Sequence, residues 1–94
     1  MPLGAKVKKT NILRRVYMEY YEPHENSDKF YEIEIVETNG GYDVEFNYGR
    51  NGSGPLHDGN KNMSPVSLSE ANKIFDKLME SKIKKGYEVV EEEG

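Results

Sequence analysis

The side chains with chemical potential in this chain are arginines and lysines rather than histidines or cysteines. No cysteine occurs, which removes a thiolate nucleophile, a thiolate zinc site and a disulfide frame. The two histidines, His24 and His57, lie in polar stretches without metal-ligand spacing and read as surface residues. Asp58-Gly59-Asn60-Lys61-Asn62 opens like a calcium loop, but Met63 stands where the loop needs glycine and Ser69 where it needs glutamate. No Gly-Lys-Ser/Thr string occurs, so a P-loop is excluded. Gly49-Arg50-Asn51-Gly52 matches a KH-type GXXG but follows a strand, whereas that loop joins two helices. No nucleophile, base and orienting acid share a spacing, so the chain is expected not to be an enzyme and to need no cofactor or metal. What remains is chemistry directed at phosphate. Arg50 at a strand end carries a fork of donors suited to a phosphate or a carboxylate partner. Lys82, Lys84 and Lys85, with Lys61, form a candidate basic face, the plainer alternative being a solvated helix end.

Strand and helix periodicities must position these groups. Val16, Met18 and Tyr20 alternate with Arg15, Tyr17, Glu19 and Tyr21, the period of a half-buried strand. A turn over Glu22 to Asp28 leads to a second strand with Tyr31, Ile33 and Ile35 on one face. Asn39-Gly40-Gly41 supplies a hairpin turn. The third strand sets Tyr42, Val44, Phe46 and Tyr48 against Asp43, Glu45 and Asn47. By alternation Tyr48 belongs to the core. A glycine-rich connection from Gly49 to Asn62 follows, functional or mobile, and a short fourth strand is expected near Met63 to Val66. Ser67 and Glu70 form a capping box, with Val66 and Ala71 as its staple. Leu68, Ala71, Ile74, Phe75, Leu78 and Met79 then make an apolar helical stripe. Lys82, Lys84 and Lys85 suit the helix dipole, and Gly86 with Tyr87 fits a helix C-terminus. The fold class is α+β: a small antiparallel sheet of four to five strands with one C-terminal helix packed on it.

Composition sets the boundaries. The 94 residues hold one domain with a modest core, expected over 12–87 between a disordered basic arm (1–11) and an acidic disordered tail (88–94). No apolar stretch is long enough to span a bilayer, no signal-peptide pattern occurs, and a reducing cytoplasm fits best. The net charge of −4 argues against a general nucleic-acid binder, yet charge is segregated. Residues 1–15 carry Lys6, Lys8, Lys9, Arg14 and Arg15 with no acid, whereas residues 16–45 set nine acids against Lys29 alone. An acidic domain of this kind can still present one basic face.

The strings Asn26-Ser27-Asp28-Lys29-Phe30-Tyr31-Glu32-Ile33, Tyr48-Gly49-Arg50-Asn51-Gly52 and Ser81-Lys82-Ile83-Lys84-Lys85-Gly86-Tyr87 together resemble the WGR domain family in order and spacing. Ala71, Phe75 and Lys77 also suit that family's helix pattern. The resemblance implies an antiparallel sheet crossed by a helix. It also implies a module that, in poly(ADP-ribose) polymerases, binds DNA near strand breaks and relays that contact to a separate catalytic domain. The site it implies here is Tyr48, Gly49 and Arg50, with Lys61, Lys82, Lys84 and Lys85 as the basic face. Tyr48 stands at the signature tryptophan and Asn51 at a usually apolar position, so DNA-end binding competes with docking of a partner protein or an attached domain. Oligomeric state is not readable from the chain.

Overall fold

The computed structural model describes residues 11–52 and 56–94. The strands are β1 (Ile12–Glu22), β2 (Ser27–Thr38), β3 (Gly41–Arg50), β4 (His57–Asn60) and β5 (Glu88–Glu93), with one helix, α1 (Leu68–Lys84), before β5. They form one antiparallel sheet in the order β4-β3-β2-β1-β5. The fold is therefore α+β, as the periodicities predict. A 3-10 turn at Pro23–Glu25 joins β1 to β2, with Asn26 in the left-handed region at φ 55°. Gly40 closes the β2–β3 hairpin at φ +98°, a backbone conformation that residues with a Cβ rarely adopt.

The alternation read from the sequence puts one face of the sheet under the helix. Val16, Met18, Ile33, Ile35 and Val44 are completely buried there, against Ala71 and Phe75 of α1. Arg14, one of the five bases of residues 1–15, lies on this same face. Its guanidinium stands 4.0 Å from the Phe75 ring centroid, held by Asn72 at 2.9 Å and Asp76 at 2.8 Å. Arg15 points to the opposite face and is bound to Glu32, to Glu91 at 3.1 Å and to Glu93 at 3.8 Å. Neither cation is free for a ligand. The basic arm expected over residues 1–11 lies outside the described residues, apart from Asn11, whose carbonyl accepts from the Glu37 amide.

Three boundaries differ from the sequence reading. The glycine-rich connection is shorter than expected, because Gly49 and Arg50 continue β3 and His57 already starts β4. The fourth strand is this His57–Asn60 segment, not Met63 to Val66. Gly59 permits the pairing, since a Cβ there would lie 2.6 Å from Cζ of Phe46. Beyond it the Asn62 side chain takes over from the ladder, accepting from the Val44 amide at 2.9 Å and donating to the Tyr42 carbonyl at 3.2 Å. Val66 then makes only an isolated bridge to Tyr42. The acidic segment from Glu88, expected to be a disordered tail, is instead the edge strand β5. Glutamates favour strands weakly, but β1 offers an open backbone edge, and Arg15 offsets part of the repulsion between Glu91 and Glu93.

The helix ends are as the local signals require. The Ser67 hydroxyl accepts from the Glu70 amide at 3.1 Å. At the other end the Gly86 amide donates to Ile83 and the Tyr87 amide to Lys82, closing the last turn. Gly86 has φ +111°, and a Cβ there would lie 2.7 Å from the Tyr20 ring. Gly86→Ala is therefore expected to destabilise the domain by more than about 1 kcal/mol. Phe75→Ala should cost roughly 3–5 kcal/mol. Urea denaturation followed by far-UV circular dichroism checks both, and a Gly86→Ala midpoint equal to the wild type would contradict the steric argument.

Candidate nucleic-acid interface

The antiparallel register lays the core-facing side chains out in rows across the sheet. Val16, Ile33, Phe46 and Gly59 make one row, and Met18, Tyr31, Tyr48 and His57 the next. Tyr20, Lys29 and Arg50 form the row beyond. The helix covers the first row and stops over the second. Burial records this end point: Tyr31 is 5% exposed, while its cross-strand partner Tyr48 is 38% exposed. Past the helix terminus Tyr87 folds down, edge-on to Tyr31 at 6.1 Å between ring centroids and tilted against Tyr20 at 5.6 Å. The space left between the last helical turn and the open sheet is a pocket of about 600 Å³. Tyr31, Phe46 and Tyr48 floor it; Tyr20, Tyr87, Lys29, Lys82 and Lys85 surround them.

The floor is a packed aromatic stack. Tyr48 lies between Tyr31, at 5.3 Å and 8° between planes, and His57, at 5.0 Å and 22°. Tyr48 thus has a near-parallel ring on either side while staying 38% exposed. Lysines stand around this stack. The Lys82 ammonium lies 4.4 Å from the Tyr31 centroid, Lys29 lies 5.0 Å from that of Tyr20, and Lys61 lies 6.0 Å from that of Phe46. Such contacts are favourable because the ring face is the negative end of its quadrupole. Burial, followed by the fields of Lys85, Lys61 and Lys29, pushes the Lys82 ammonium below the usual lysine value. Burial pushes the Tyr31 phenol up to about 12, helped by Tyr48 and Tyr87; burial and then Tyr48 raise Tyr87 as well. Tyr31 and Tyr87 therefore keep their phenolic protons well beyond neutral pH. Among the described residues no carboxylate lines the pocket, although Glu25 accepts from the Tyr20 hydroxyl at 3.1 Å. The arrangement is one of ammonium and hydroxyl donors over an apolar floor, which suits an anion attached to a ring or a sugar.

Comparison with known families gives one assignment, a match to the WGR domain model over residues 14–94. The chain belongs to the WGR domain family. No curated protein and no solved structure matches it. The match takes in β5, so the acidic C-terminal strand is part of the WGR domain.

In this WGR domain the site residues read from the sequence separate into two groups. Tyr48, Lys82 and Lys85 meet at the pocket, and Lys61 stands beside it. Arg50 reaches the rim opposite Lys29, but its guanidinium donates to the Asn26 carbonyl at 2.9 Å and to the Asn26 side chain at 3.2 Å. Gly49 is a buried backbone position paired with Phe30, and Lys84 does not line the pocket. Lys29, Tyr20, Tyr31, Phe46, Tyr87 and His57 are site residues that the sequence reading left out. Only Lys29 had a local signal, as the lone base in an acidic segment two positions from Tyr31.

The other face of the sheet explains how an acidic chain has such a pocket. Glu19, Asp28, Glu32, Glu34, Glu45 and Asn47 alternate onto it, with Arg15 bound among them. The sheet thus separates a basic end on the helix side from an acidic reverse face. The raised Tyr31 value fixes the sign of a pH effect. A group that stays protonated longer in the folded state stabilises it fully below the unfolded value near 10, and that stabilisation is lost as pH rises through about 12. Unfolding free energy measured between pH 9 and 11.5 should fall more steeply for the wild type than for Tyr31→Phe. Absorbance at 295 nm should show one phenol fewer titrating late in the variant. Coincident profiles would remove Tyr31 from the account.

Proposed function

We propose that this WGR domain is a nucleic-acid-binding module that seats a DNA end or nick in the pocket between the helix terminus and the open sheet. The observation that carries the reading is the grouping of Lys29, Lys82 and Lys85 around Tyr31 and Tyr48 in a pocket that no carboxylate among the described residues lines. Affinity then comes mainly from phosphate neutralisation by these lysines, with Lys61 at the side. The tyrosine hydroxyls contribute hydrogen bonds to phosphate or sugar oxygens. A broken duplex fits better than an intact one, because a terminus brings a sugar–phosphate into a recess that a continuous backbone only skirts. Tyr48 contributes its hydroxyl and ring edge rather than a stacking face. Arg50 contributes less than its place in the family signature implies, since a ligand must compete with its two bonds to Asn26. The domain acts by binding, and turnover chemistry belongs to whatever polypeptide it works with.

A second reading, docking of a protein partner, draws on the edge strand β5, where Val89 and Val90 are exposed beside Tyr21. Fluorescence anisotropy of blunt, nicked and intact duplexes separates the two. Broken duplexes should bind more tightly. The double variant Lys82→Ala/Lys85→Ala should weaken binding by at least about tenfold and flatten the log–log salt slope by roughly 1.8. Arg50→Ala should have a smaller effect. Absence of binding to any duplex at low salt would overturn the proposal in favour of a protein partner.

A further inference from the structure

The free edge of the sheet at β5 is the feature that the lysine pocket leaves unused. In the order β4-β3-β2-β1-β5 no described strand lies outside β5, so its outward-facing backbone amides and carbonyls have no ladder partner there. An open edge of this kind is a template for one more strand. The register with β1 sorts the side chains of β5. Val89 and Glu92 lie opposite Met18 and Val16 on the helix side, whereas Glu88, Glu91 and Glu93 lie opposite Glu19, Tyr17 and Arg15 on the reverse face. Val90 is the extra residue of a bulge. Val89 is 44% exposed, Val90 53% and Tyr21, beside them, 72%. These three line a recess of about 290 Å³ together with Glu19, Gly86 and Glu88.

Charge decides what an added strand can be. All four glutamates of β5 are exposed. Arg15 is the one cation bound to them among the described residues, and Glu32 shares it with Glu91 and Glu93. The edge is therefore left negative. A second β5 laid along it would set glutamates against glutamates, and like charges across a ladder oppose pairing. The phosphates of a nucleic acid are repelled for the same reason. A strand of opposite charge is favoured by the same side chains, since unlike cross-strand pairs stabilise. We propose that the β5 edge of this WGR domain takes up an extended segment of a partner polypeptide, rich in lysine or arginine with apolar residues between, as a sixth strand. Its basic side chains pair with the glutamates, an apolar one enters the recess at Tyr21 and Val90, and its backbone completes the open ladder. The recess shares no lining residue with the lysine pocket, so strand addition does not depend on the nucleic-acid reading.

The test titrates the full chain into a fluorescein-labelled peptide of alternating lysine and valine, about ten residues long, and follows anisotropy at low salt. One control peptide alternates glutamate with valine. The other keeps every lysine but carries prolines at two central valines, which preserves the charge and breaks the ladder. The lysine–valine peptide should bind at least about tenfold more tightly than either control. Glu88→Lys/Glu92→Lys leaves the partners of Arg15 in place and should weaken that binding by about tenfold or more, with a far-UV circular dichroism melt close to the wild type. Amide hydrogen exchange should slow in β5 and not in β4, the other edge. Equal binding by the proline peptide would reduce the effect to loose charge attraction and overturn strand addition. Undiminished binding by the double variant, protection at β4, or no binding of the lysine–valine peptide would overturn it as well. Dimerisation of the chain alone with β5 protected would hand the edge to a second copy instead. None of these outcomes alters the duplex titrations, so the two readings fail separately.

Discussion

The turn at Gly86 is the constraint on which the rest of the site depends. A left-handed residue there ends α1, and the Tyr20 ring beneath it leaves room for a hydrogen but not a methyl group. Because the helix stops at that point, the row Met18, Tyr31, Tyr48 and His57 is half covered, and the row beyond it is open. The same turn drops Tyr87 onto Tyr20 and Tyr31 as a wall of the pocket. It also sends the chain back along β1, where the acidic segment can pair.

Charge in this domain is sorted by strand parity rather than by position along the chain. Neighbouring residues of a strand face opposite sides, so Asp28 and Lys29 are one position apart and on different faces. The result is a pocket lined by lysines in a chain of net charge −4. Arg14 and Arg15 show the limit of counting bases, since one caps Phe75 and the other is bound among glutamates. Their charge is spent within the fold, whereas Lys29, Lys82 and Lys85 line the pocket and Lys61 stands beside it.

Tyrosine at the signature tryptophan position changes what the WGR pocket offers. Tyr48 fits into the line between Tyr31 and His57 and brings a hydroxyl where the indole of the signature tryptophan has none. Gly59 is part of the same device, because the Phe46 ring lies across β4 where any side chain would collide with it. The floor is therefore preassembled, and binding would not have to order it.

Much of the fold was legible because it rests on local periodicity. Alternation at Val16 and Met18, at Ile33 and Ile35, and at Val44 marked the buried face. The Ser67–Glu70 box and the Gly86–Tyr87 pair marked the helix ends, since caps are decided by residues only a few positions apart. Three ordered strings identified the family, and with it Tyr48, Lys82 and Lys85. The edge strands escaped notice for a physical reason: β4 and β5 are held by backbone pairing, and neither the polar β4 nor the adjacent Val89 and Val90 of β5 gives an alternating hydrophobic period. The pocket's other members come from β1, β2, β4 and the residue after the helix turn, separated by many positions in the chain. Their meeting depends on the strand register and on where the helix stops. So the sequence alone determined the elements, their buried faces and the family. The tertiary structure alone decided which cations are free and which rings already stack, because both depend on long-range packing that local residue types do not encode.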